Sequence, residues 1–217
     1  MSAGKRFKFN GSMLQVSTGV GATKVITGIT NDDPALVAAA GHGLALGSLA
    51  RITDVTGMAE INDQLVIVDN PDADDFEAAN INAEGYSVYT SGGTVAPLIM
   101  SNFCELTGAN QQDGSADEID ASSICSTAKE FEQGLGDAGT ITLDYNFAPN
   151  TGVQKALREA KKKGEEVAVR VDLPKKGGSV IMIGHVQQTS FQGSNGGLWT
   201  GSASLKLSGD IFVLEVA

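Results

Sequence analysis

Only one segment of this 217-residue chain carries a helical period. Val153, Ala156, Leu157 and Ala160 fall at i, i+3, i+4 and i+7 and draw a single apolar stripe. Thr151 with Gln154 three residues on has capping-box spacing, and Gly164 after Lys161-Lys162-Lys163 is a C-terminal stop. The three lysines suit the negative end of that helix. Elsewhere the apolar residues come in short runs rich in Val, Ile and Thr, separated by turn residues among which glycine leads, with 27 glycines against 5 prolines. A helical bundle is therefore excluded. The expected fold is mainly β, a sandwich or barrel with one flanking helix.

Charge divides the chain. Between Val20 and Val95 eleven acids face only Lys24 and Arg51, so this stretch carries −9 of the net −11. It reads as a compact all-β unit with strands at Lys24–Thr27, Ala35–Ala38, Ala50–Val55 and Gln64–Val68. Asn31-Asp32-Asp33-Pro34, Gly41-His42-Gly43 and Asn70-Pro71-Asp72 separate them as turns. Thr18-Gly19-Val20-Gly21 on one side and Thr90-Ser91-Gly92-Gly93-Thr94 on the other read as flexible junctions. The expected organisation is a discontinuous outer domain, residues 1–19 with 96–217, carrying an inserted acidic all-β domain at 20–95. Met13–Ser17 and Pro97–Met100 would be the strands whose tip holds the insertion. Thr140–Phe147, Glu166–Asp172, Ser179–His185 and Ser202–Ser208 complete the outer strands. In the first of these, alternation puts Asp144 on one face and Leu143 and Tyr145 on the other.

Site chemistry is sparse, and no catalytic, cofactor-binding or metal-binding residue is expected. There is no nucleophile elbow, P-loop, zinc-protease or Cys-x-x-Cys motif. His42 lies between glycines and His185 closes an apolar run, so a turn and a strand end are expected rather than bases. Asp72, Asp74 and Asp75 read as a solvated acidic loop. Trp199 and Phe191 are expected in the core or at subunit contacts. Cys104 and Cys125 are expected to be buried structural thiols, and whether they pair is left open. The acidic balance argues against a specific nucleic-acid reader. No stretch approaches the ~18 apolar residues of a membrane span, and the N-terminus lacks an apolar signal core, so the expectation is a protein used where it is made, with no membrane partner.

Thr107–Asp137 is a polar, acidic run with little periodicity. Loops longer than ~15 residues are uncommon in compact domains unless functional, and an assembly arm would explain this one, with Ile124 and Phe131 as apolar anchors. Phe131 to Leu143 resembles the stretch of major tail tube proteins of long-tailed bacteriophages where the long loop returns into a central strand. Glu118-Ile119-Asp120-Ala121-Ser122 is similar to the family's approach into that loop, the helix Val153–Lys163 follows at the family's distance, and Ser202–Asp210 is similar to its closing strand and turn. Within the acidic stretch, Gly41-His42-Gly43-Leu44, Phe76 and Tyr86–Thr94 resemble a small β-module that recurs as an add-on in phage structural proteins.

The resemblance implies a non-enzymatic virion protein that joins edge to edge into rings, usually hexameric, stacked into a tube that conducts genomic DNA without binding it. It further implies assembly in the host bacterial cytoplasm, residence in the virion tail, no cofactor, and tape-measure and terminator proteins as partners. The acidic unit, too large for the channel, would project outward. Two alternatives stand beside this: another virion ring such as a terminator or neck component, and an acidic β-module that binds carbohydrate or Ca²⁺.

Overall fold

The computed structural model describes residues 6–214. In chain order the strands are β1 (Met13–Val20), β2 (Lys24–Val25), β3 (Gly28–Ile29), β4 (Ala35–Ala38), β5 (Leu49–Thr56), β6 (Leu65–Asp69), β7 (Asp75–Ala78) and β8 (Ser91–Asn102). They continue with β9 (Leu106–Gln112), β10 (Glu118–Asp120), β11 (Phe131–Gln133) and β12 (Thr140–Asn146). The helix α1 (Gly152–Lys163) precedes β13 (Glu166–Asp172), β14 (Ser179–Gln192), β15 (Thr200–Leu207) and β16 (Phe212–Leu214). The protein is mainly β with one α-helix among the described residues. One antiparallel path runs β3-β4-β7-β6-β5-β8-β1-β13-β14-β15-β12-β9, with β16 beside β14 and β2 beside β8, while β10 and β11 form a separate pair.

β8 joins the two parts of that path. Its first half pairs with β5, from Ser91 opposite Thr56 to Pro97 opposite Ala50. Its second half pairs with β1, from Leu98 opposite Val20 to Asn102 opposite Gln15. The glycine stretches expected to be flexible junctions are therefore strand: Thr18–Val20 lies in β1 and Ser91–Thr94 in β8. Gly92 and Gly93 have φ of 74° and 94°, and a Cβ on Gly93 would sit 2.6 Å from Cγ2 of Val55. They let the backbones of β8 and β5 approach each other, a strand use of glycine that composition does not separate from a linker.

Alternating burial builds two cores. One gathers Ile26, Val37, Ile52, Met58, Ile61, Val66 and Phe76, and the other gathers Leu14, Val16, Ile141, Leu143, Val153, Leu157, Val169 and Leu205. A third apolar cluster bridges them, with Leu49, Leu65 and Ile67 against Ala168 and Ile181 and with Leu98, Met100, Ile183, Phe212 and Leu214 around them. β7 escaped the sequence reading because acids surround it, yet Phe76 is fully buried between β4 and β6. β14 runs past His185 to Gln192: the apolar signal stops where the core stops, while the ladder to β15 continues.

The helix forms where its stripe predicts, burying Val153, Leu157 and Ala160, and ends on Gly164 with φ 72°. Its start differs. Thr151 makes no side-chain cap, and its hydroxyl instead donates to the Ala148 carbonyl. Gln154 is buried, accepting from the Ala148 N–H at 3.0 Å and donating to the Asn146 carbonyl at 2.9 Å. It ties the helix to the end of β12 rather than to its own first turn. Gln154→Ala strands both backbone groups, so we expect a loss of about 1–3 kcal/mol in stability, read as a lower denaturant midpoint at unchanged slope.

Candidate assembly surfaces

Thr107–Asp137, expected as one long loop, is partly strand. Thr107–Gln112 belongs to β9, which pairs with β12 and leaves its other edge open at the end of the sheet path. Its Gly-Ala-Asn-Gln-Gln content carries no strand signal, and only the partner strand makes it one. Beyond it β10 and β11 form a two-stranded arm, with Glu118 opposite Gln133 and Asp120 opposite Phe131. Asp120 Oδ1 accepts from the Ser122 N–H at 2.9 Å, and the Ala121 N–H donates to the Glu130 carbonyl at 2.9 Å. The arm shows its apolar side chains to solvent: Ile124 and Leu135 are almost wholly exposed, and Ile119 and Phe131 are about half exposed.

The root of the arm is fixed. The Lys206 ammonium donates to the Asp137 carboxylate, and the Gly139 N–H donates to the same oxygen at 2.9 Å. These donors, Lys206 first, hold the Asp137 carboxyl below its ordinary value. A lowered native value means the link contributes above the unfolded-chain value and is lost as pH falls through the native one. Amide exchange at Gly139 should therefore rise on acidification, corrected for intrinsic rates. Asp137→Asn should show that rise already at neutral pH, by about two- to fivefold, as befits an exposed pair.

Next to the root lies a polar face. Registers β9–β12 and β12–β15 put Asn110, Thr142 and Ser204 in one row and Gly108, Asp144 and Ser202 in the next. Gln112, Thr140 and Lys206 form the row nearest the arm. Asp144 is exposed while Leu143 and Tyr145 are buried on the other side, as the alternation predicts. In these rows the charges are Asp144 and Lys206, and Lys206 is paired with Asp137.

The remaining candidates separate. His42 is buried, accepting at Nδ1 from the Leu44 N–H (3.0 Å) with Nε2 3.1 Å from the Asp75 carbonyl, so it braces its turn. His185 is not a strand end but an exposed mid-strand residue 3.6 Å from Glu166. Asp72 and Asp74 lie outside β7 whereas Asp75 is its first residue, and no cluster of His, Cys, Asp or Glu suited to a metal occurs among the described residues. Phe191 and Trp199 are not core. They are exposed, and Phe147 stacks on Phe191 at 4.7 Å between centroids. Cys104 and Cys125 are free and exposed, contrary to the expected burial, because each sits in a turn, Cys125 at the tip of the arm. No helix of the described residues is long and apolar enough to cross a membrane.

Residues 79–180 match the family described as phage tail tube, TTP, lambda-like. No curated protein sequence matches the chain. Among solved structures, the tail of an empty GTA particle, refined with C6 symmetry, matches at a TM-score of 0.43 and 18% identity over 52% of this chain and 85% of that one. The SPP1 tail tube, a hybrid solid-state NMR and cryo-EM structure, matches at 0.45 and 12% over 54% and 69%. Residues 79–180 hold the arm, the α-helix and the strands around them, and it is this stretch of the chain that is similar to the lambda-like phage tail tube family.

Proposed function

We propose that the chain closes into rings, hexameric in number, that stack into the tail tube and conduct genomic DNA to the host, and that the polar β9–β12–β15 face lines the lumen. The observation that carries this reading is the character of that face. Its rows hold Thr, Ser, Asn and Gln, and its single cation is already neutralised by Asp137. Protein binds duplex DNA mainly by releasing counterions to Lys and Arg. A wall without free cations gives a passing duplex no place to be held. Ring closure also covers the open edge of β9, which would otherwise invite irregular strand pairing.

In this reading the protein is a structural component without catalytic activity. It takes no cofactor and no membrane, assembles in the host cytoplasm, and meets the tape-measure and terminator proteins at its ends. The acidic unit projects outward, and the arm lies across the next ring. Electron microscopy of the purified protein tests the reading. Long tubes support it, single rings favour a terminator or neck component, and monomers favour a binding module. A map of the tube whose lumen is dominated by Lys and Arg would sink the non-binding channel.

A further inference from the structure

We infer that the basic-rimmed mouth of the outer core is the seat for the acidic arm of a second copy of this chain; this rests on the tube reading above and names the surface it requires. The mouth is a groove of about 380 Å³ lined among others by Phe7, Phe9, Ile141, Leu173, Val180 and Met182. Ile141 and Met182 are core side chains at 2% and 4% exposure, so the floor of the groove is the core itself. Phe7 and Phe9 lie along it while remaining 39% and 52% exposed. An apolar surface left this open on a soluble subunit marks a contact site.

Charge selects the occupant. Lys8 lines the groove and Arg6 precedes the lining Phe7, while Lys175 and Lys176 stand in the β13–β14 turn, whose Leu173 lines the groove and whose Gly177 packs against Phe7; neither segment, 6–12 or 173–178, holds a carboxylate. The turn is closed by the Leu173 N–H donating to the Gly178 carbonyl at 2.9 Å, and both lysines are exposed at φ of 58° and 57°. Asp172, the acid nearest to the turn along the chain, is engaged by Arg170 and Ser179. None of the four cations forms an ion pair with a described residue.

The arm is the complement. From Asp117 to Glu132 it carries five carboxylates against Lys129 alone, interleaved with Ile119, Ile124 and Phe131. These side chains are exposed, and none of the arm's residues lines the groove of its own chain. Apolar anchors flanked by acids fit an apolar slot flanked by bases, and the pairing fixes both partner and register.

Two charge reversals test this, each checked for folding by its thermal unfolding curve. Lys175→Glu with Lys176→Glu reverses the rim, and Glu130→Lys with Glu132→Lys reverses the arm. Each variant alone should raise the protein concentration needed for tubes at least about tenfold. A one-to-one mixture should assemble near the wild-type concentration, because each arm then meets a rim of opposite sign on its neighbour. If the mixture does no better than its components while a chain carrying both reversals recovers, the arm seats in its own chain and the second-copy inference is overturned. Either variant assembling like wild type overturns the seat, while the tube reading survives in the wild-type tubes. Wild-type protein that forms no tubes overturns both.

Discussion

Removal of Ser122–Gln133 is expected to leave a folded subunit that no longer polymerises. The deletion takes the distal half of the arm, including β11, and touches no residue of either core. The root stays closed by Asp137, Gly139 and Lys206. What disappears is the exposed set of Ile124 and Phe131 with Glu130 and Glu132 beside it. A segment that lies outside both cores and presents exposed aromatic and aliphatic groups is expected to gain its order from contacts with another subunit. The unfolding free energy should change by less than about 0.5 kcal/mol, as for surface changes, while negative-stain images lose tubes entirely. Normal tubes from the deleted chain would reduce the arm to a surface loop.

The second large effect concerns the acidic unit. Replacing Gly21–Gly93 with a short Gly/Ser linker costs little in loop closure, and the outer core from Leu14 to Leu207 shares no member with the core of the unit. The bridging cluster changes the expectation. Excision removes Leu49, Leu65 and Ile67 and bares Leu98, Met100, Ile181, Ile183 and Phe212. At about 1.5–3 kcal/mol per buried aliphatic side chain, the lost contacts amount to roughly half of a typical domain's 5–15 kcal/mol. We expect the excised chain to keep cooperative unfolding at a clearly lowered midpoint and to aggregate on warming. Polar replacements at Leu98 and Phe212 should restore solubility. Loss of the unfolding transition even with those replacements would mean that the two parts share one indivisible core.

The sequence disclosed what periodicity encodes. The stripe of α1 and the alternation of β12 are there to be read, as are the apolar runs of β5 and β6. It concealed what a partner strand or a distant residue supplies. Gly19, Gly92 and Gly93 look like linker and are strand, because φ and interstrand distance decide their use and composition does not. Gln154 looks like half of a capping box and is a buried bridge to the end of β12, since the polar backbone groups it satisfies belong to another element. Cys104 and Cys125 look like core residues by type, but turn positions expose them. Of the assembly surfaces, the arm was visible as a long aperiodic acidic run. Its proposed seat was not, because the groove is gathered from residues 7–12, 109–111, 141, 171–182 and 211, and no local pattern announces such a convergence.

The continuity of β8 has a mechanical consequence. A domain hung on two glycine linkers swings freely, and a pull on it reaches the rest of the chain only when the linkers are taut. Here a single strand of 12 residues runs from the ladder with β5 into the ladder with β1. A load on the acidic unit along β8 is therefore borne as shear across rows of backbone hydrogen bonds, with no slack between the parts. With the bridging cluster of Leu49, Leu65, Ile67, Ala168 and Ile181 packed beside that strand, a twist applied to the acidic unit is delivered directly to β1 and the sheet beyond.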